Sequence, residues 1–380
     1  MSLWLAFISL FILDLFGSVA AHAHKPSDSY LRLTVHEEAM QGQWDIALRD
    51  LDYAIGLDGN TDGEITWQET RSRHSAIASY ALSRLEIRDH KSACWMHPTG
   101  HRIDHHSDGA YAVLDFSTRC PTTPTQLTIN YGLLFDLDAL HRGLLQVEHN
   151  GTTQTAVFSP ERSNVKLNLL SSSPWREFFQ FALEGVWHIW IGYDHILFLI
   201  SLLLPAVLWW RDGQWNPVGY FGRACGEVLK IVTSFTLAHS VTLSLSALHL
   251  MTLPSRWVES IIAGSVVLAA LHNLYPVMPI RRWIVAFGFG LIHGFGFASV
   301  LADLSLPTTS MLMTLAGFNF GVEFGQIGIV SLFLPLAFLL RRSWTYRILV
   351  LRLGSLGIAG LASLWMLERS LDRPFSSWLW

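Results

Sequence analysis

From residue 175 onward the chain is a succession of apolar segments near the length that crosses a bilayer, and that fixes what it can fold into. The segments run 194–210, 228–250, 258–276, 284–301, 312–340 and 348–367. A hydrocarbon core about 30 Å thick needs about 20 helical residues, so six spans are expected. Of 380 residues, 51% are hydrophobic and 15% charged, and the apolar excess is concentrated in this half. The expected fold is therefore mixed: a mainly-β N-terminal domain, then a polytopic α-helical membrane domain over 173–373.

Charge orients the spans. With the N-terminus outside, the odd loops hold Arg211, Arg223 and Lys230, then Arg281 and Arg282, then Arg341, Arg342 and Arg347. The opposite side holds Arg256, with Arg369 and Arg373 after the last span. The positive-inside rule then puts residues 24–172 outside the cytoplasm. Residues 3–19 are apolar and precede Ala21-His22-Ala23, a small-residue cleavage pattern, so residues 1–23 read as a signal peptide and His24 as the mature N-terminus. A free α-amino group beside the His24 imidazole would offer two arms of a copper-type chelate. A net charge of −4 gives no reason to expect nucleic acid as a partner; the lipid bilayer and a metal ion are the expected ones.

The outer domain alternates with period two. Residues 30–35 and 42–48 read as a hairpin, and 111–116, 126–134, 143–148 and 154–158 as later strands. One helix is expected over 66–85. An oxidising compartment favours a Cys94–Cys120 disulfide, worth about 3 kcal/mol in the chain-entropy model. Cys225 falls in a basic, cytoplasmic loop. Residues 58–69, DGNTDGEITWQE, fit the calcium-loop pattern at every specified position. Asp58, Asn60 and Asp62 supply side-chain oxygens, Glu64 a carbonyl and Glu69 a bidentate carboxylate, while Gly63 makes the turn. Residues 44–51 read as a strand, so the loop stands alone as a structural staple for Ca2+. His97, His101, His105, His106, His141 and His149 make the domain histidine-rich, with His101 and His105 in loop-like surroundings.

Ionisable groups inside membrane segments are costly and seldom idle. Residues 185–205, GVWHIWIGYDHILFLISLLLP, contain His188, Asp194 and His195. Apolar sequence runs upstream to Trp175, and 175–210 as one helix would reach about 54 Å, so it must break or lie partly in the interface, with Gly192 the breaking point. On a straight helix His188 and His195 would lie about 10 Å apart. Further segments add Thr236, His239 and Ser240 on one helical face, then His293 in a Gly290, Gly294, Ala298 stripe that admits close helix approach. Asn319, Glu323 and Gln326 form a polar face in the fifth span.

The H-x5-D-H of His188, Asp194 and His195 resembles the signature of the HupE/UreJ family of nickel/cobalt permeases. The elements TLAHSVTL, GLIHGFGFA and FNFGVEFGQ, around His239, His293 and Glu323, are similar to a branch with an extra extracytoplasmic domain; HKPSDSYL and LRDLD match loosely. The resemblance implies a bacterial inner-membrane permease in which His188, Asp194 and His195 are needed for transport. The shorter permeases carry a second motif, F-H-G-x-A/V-H-G-x-E, of which only His293 stands here. Imidazole suits nickel, cobalt, zinc and copper alike. Two further classes stay open: an intramembrane zinc hydrolase using the histidines and Ser240, and a membrane receptor or assembly factor.

Overall fold

The alternating residues at the start close as a hairpin. β1 (Asp28–His36) and β2 (Ala39–Ala47) pair antiparallel, Leu31 opposite Trp44 and Leu33 opposite Gly42. Phe116 of a neighbouring strand lies over Gly42, where a Cβ would sit 2.1 Å from its ring, so only glycine fits. The structure, a computed structural model, describes residues 27–89, 92–106, 109–170, 174–248, 250–251, 253–276, 281–303 and 308–371, with the backbone alone at 297–303 and 308–310. The expected signal peptide, His24, Arg373 and the side chain of Ala298 lie outside the described residues.

After the hairpin come α1 (Leu48–Ile55), α2 (Trp67–Ser72), α3 (His74–Leu82), β3 (Leu85–Arg88), β4 (Trp95–His106) and β5 (Gly109–Arg119). β6 (Gln126–Tyr131), β7 (Arg142–His149), β8 (Thr152–Phe158) and β9 (Asn164–Asn168) complete the domain. A six-stranded sheet, ordered β4-β5-β2-β1-β7-β8, and a three-stranded sheet, β3-β6-β9, share one core. Leu31, Trp44 and Leu114 from the first meet Ile87, Leu127 and Leu167 from the second. β1 and β7 run parallel; the other pairs are antiparallel. Cys94 and Cys120 are joined as expected.

Three expectations for this domain are corrected. Residues 48–51 are not strand but the start of α1, because Leu48 and Leu51 bury one helical stripe. The calcium-type loop is thus flanked by helices on both sides. The expected helix over 66–85 is two, α2 and α3, interrupted at Arg73. His101 and His105 lie on β4, not in a loop: β4 has a register shift at Pro98/Gly100 and many exposed residues, so its sequence lacks clean alternation.

A buried polar chain ties β1 to the domain. Ser27 Oγ donates to Asp50 (2.7 Å) and meets His141 Nδ1 (2.5 Å), His141 Nε2 meets the Tyr131 hydroxyl (2.7 Å), and that hydroxyl meets Ser29 (2.6 Å). Trp44 Nε1 donates to Ser29. A neutral imidazole with its proton on Nδ1 satisfies every group, which is the condition for burying them. Burial, with Arg142 nearby, holds His141 down at about 3, and burial raises Tyr131.

The second half is helical: α4 (Pro174–Ile191), α5 (Tyr193–Leu203), a small hairpin of β10 (Leu208–Arg211) and β11 (Gln214–Pro217), α6 (Phe221–Ala247), α7 (Ser255–Leu274), α8 (Arg282–Asp303) and α9 (Thr308–Leu340). A π-helix, Tyr346–Leu353, runs into α10 (Gly354–Leu371). Among the described residues four helical segments are long and apolar enough to cross a membrane, and α4 with α5 makes a fifth, bent by 72°. α8 occupies the place of the expected 284–301 span. The first expected span, 194–210, ends early: α5 stops before Pro205, which lacks the amide a continuing helix needs, and the hairpin takes residues 208–217. Cys225 lies within α6, not in a loop.

Glycines set the closest helix contacts. A Cβ at Gly321 would lie 1.9 Å from the Ala182 carbonyl, and one at Gly317 2.3 Å from that of Phe178, so α9 lies against α4 backbone to backbone. Gly290 and Gly294 bring α8 equally close to Phe235 and His239 of α6. Tyr30, Tyr111, Leu144 and Val157 of the large sheet share a buried cluster with Phe181, Ile189 and Phe318, which seats the β domain on α4 and α9.

Candidate metal centre

The break at Gly192 makes the site. Its backbone is extended, and a Cβ there would lie 2.7 Å from both the His188 carbonyl and His195 Nδ1. With no side chain in the way, α5 turns sharply and brings His195, in its first turn, back to His188, in the last turn of α4. Their ring centroids are 4.5 Å apart and the planes steeply inclined.

Three more helices close the circle. His293 of α8 packs 5.4 Å from His195. Phe235 of α6 lies between His293 and His239, and Phe318 of α9 between His239 and His188. His188, His195 and His293 therefore touch directly, whereas His239 joins through two phenyl rings. The centre is well sealed: His195, His239 and His293 are all buried.

Each of those three imidazoles is oriented through one nitrogen. His195 Nδ1 pairs with Asp194 Oδ1 at 2.9 Å, His239 Nδ1 with Asn319 at 3.4 Å and His293 Nε2 with Ser265 at 2.9 Å. The opposite nitrogens, His195 Nε2, His239 Nε2 and His293 Nδ1, are buried with no hydrogen-bond partner. An imidazole held on one side by a carboxylate or hydroxyl and bare on the other has the arrangement of a metal-ligating histidine and its supporting shell. Among the described residues, no three His, Cys, Asp or Glu side chains have their donor atoms already gathered as a ligand set. The rings meet, and side-chain rotation would be needed to aim the bare nitrogens at one point.

The remaining sequence candidates fall along the α6–α9 seam. Thr236 donates to Gln326 (3.2 Å), and Glu323 accepts from Thr233 (3.1 Å), further along α6 from His239. Ser240 gives its hydroxyl to the Thr236 carbonyl. Sequence reading missed Ser265, Phe235, Phe318 and Arg369. Ser265 and the phenylalanines carry no signal in an apolar helix, and Arg369 in sequence is one more charge after the last span.

In the outer domain, the 58–69 loop is closed by its own side chains. Asp58 accepts from Thr61 and Gly63 amides, Asn60 from Asp62, and Asp62 from Glu64. Glu69 forms a capping box with Thr66 at the start of α2 and also accepts from Gly59. These hydrogen bonds hold its carboxyl below the usual range.

A family model described as HupE / UreJ protein matches residues 164–369. Comparison with curated proteins finds no match.

Proposed function

The chain belongs to the HupE/UreJ family, and we propose that it is a permease for a divalent transition-metal ion, nickel or cobalt before zinc or copper, with the buried imidazole centre as its transport site. The observation that carries this reading is the set of three sealed imidazoles, each anchored through one nitrogen and bare at the other. His188 and Asp194 complete the set, the carboxylate balancing the charge of the ion. The polar pairs of α6 and α9, Thr236 with Gln326 and Thr233 with Glu323, support a path leading away from the centre. The hydrolase reading is weakened by Ser240, whose hydroxyl is spent on its own helix.

This multi-pass protein would sit in a bacterial inner membrane with its β domain outside. Arg282 bound to the Pro205 carbonyl, Arg341 to that of Val218, and the Tyr346 hydroxyl to that of Leu204 support one basic, cytoplasmic end. In the outer domain Asp58, Asn60, Asp62, Glu69 and the Glu64 carbonyl would hold Ca2+. The donor set is all oxygen, and the helices flanking the loop favour that role.

Reconstituted vesicles test the main reading. Ni2+ or Co2+ should accumulate with the wild-type protein and fail to do so with His188→Ala, Asp194→Ala or His195→Ala at equal protein incorporation. Undiminished uptake in all three variants would sink it.

A further inference from the structure

Asp194 faces two partners. Its Oδ1 accepts from the backbone amide and Nδ1 of His195, each at 2.9 Å. Its Oδ2 faces Arg369 Nη2, from the end of α10, at 3.8 Å. The same guanidinium lies 3.9 Å, through Nε, from Glu259 Oε2 in the first turns of α7. Both separations exceed the 2.7–2.9 Å of a charge-assisted hydrogen bond. Arg369 is held by one longer bond to the Glu259 carbonyl, 3.3 Å, and its Nε is buried with no hydrogen-bond partner. Glu259 is itself fixed by Ser255, which donates to its other oxygen at 2.7 Å. One cation thus stands nearly midway between two carboxylates, bound closely to neither.

We propose that Arg369 is the resident counter-ion of Asp194 and that an incoming divalent cation displaces it onto Glu259. This rests on the permease reading and adds what faces Asp194 when no metal ion is bound. A partly buried carboxylate is favoured by a positive partner, and Arg369 supplies one without entering the imidazole ring set. A metal ion at Asp194 and His195 would stand close to the guanidinium and repel it, since like charges interact strongly where water is excluded. Glu259 lies within the same reach of the guanidinium, 3.9 Å against 3.8 Å, so the arginine exchanges one carboxylate for the other and is never left unpaired. Arg369 is a positioning residue: it sets how strongly Asp194 is free to bind, and touches no ligand itself.

Equilibrium dialysis of the purified full chain against Ni2+ alone distinguishes the outcomes. Arg369→Gln removes the competitor and should tighten Ni2+ binding by about tenfold, within the usual scale of coupling between two charged occupants of a protein's sites. Glu259→Gln removes the alternative seat and should weaken binding by a similar factor, while Arg369→Lys stays near wild type. Opposite signs in the two neutral variants are what a merely structural ion pair would not give. Binding that is unchanged or weaker in folded Arg369→Gln would overturn the proposal; if that variant does not fold, undiminished binding in Glu259→Gln would do so. Wild-type protein that takes up no Ni2+ would overturn the permease reading as well.

Discussion

Gly192 decides whether His188 and His195 meet. Any side chain there collides with the His188 carbonyl and His195 Nδ1, each 2.7 Å from an added Cβ. Gly192→Ala should therefore cost about 1–3 kcal/mol as an overpacked site, and should weaken Ni2+ binding more than Gly360→Ala, where nothing lies within 4 Å. Dialysis with thermal melting of both variants checks this; equal binding in the two would mean that the break is incidental. His141 gives a pH prediction. The folded protein keeps it neutral down to about 3, whereas an unfolded chain protonates near the ordinary value of 6.5. Its stabilising effect is present above pH 6.5 and is lost as pH falls, by up to about tenfold in the folding equilibrium per pH unit. Chemical denaturation from pH 7 to 4 should show this slope for wild type and a shallower one for His141→Asn.

At the scale of elements, period-two alternation made the β1–β2 hairpin and the later strands legible, and sustained apolar length did the same for the membrane helices. It failed where tertiary partners override local pattern. α1 was hidden because Leu48 continues the apolar beat of Trp44 and Ile46 in β2, and β4 because its bulge and exposed edge blur alternation. The site histidines were visible as charges out of place, but their second partners were not, since Ser265 is an ordinary residue of a small-residue helix. The α4–α9 contact shows the same limit: FNFGVEFGQ was noticed for its glutamate, while its glycines set the packing. Gly321→Ala should destabilise the membrane domain by about 1–3 kcal/mol through overpacking against Ala182. A melting temperature no lower than that of wild type would show that α9 can yield at this contact.

At the scale of the whole molecule, the β domain rests on α4 and α9, the two helices that carry His188, Phe318 and Asn319. Loss of calcium from the outer domain should lower its own melting temperature while leaving Ni2+ affinity within about threefold, because surface changes distant from a site usually add independently. A chelator-insensitive melt would make the loop only a turn. Orientation is checked with Cys225, the free thiol among the described residues. A membrane-impermeant maleimide should label it in inverted vesicles and not in intact spheroplasts.

Imidazole coordination inside the membrane domain is what a metal permease of this design requires. Nickel K-edge X-ray absorption of the Ni2+-loaded, purified protein measures that directly. One bound ion per chain with at least two imidazole ligands is predicted, and His195→Ala and His293→Ala should each reduce the imidazole signal. A spectrum with oxygen ligands alone, or one unchanged in both variants, would contradict it.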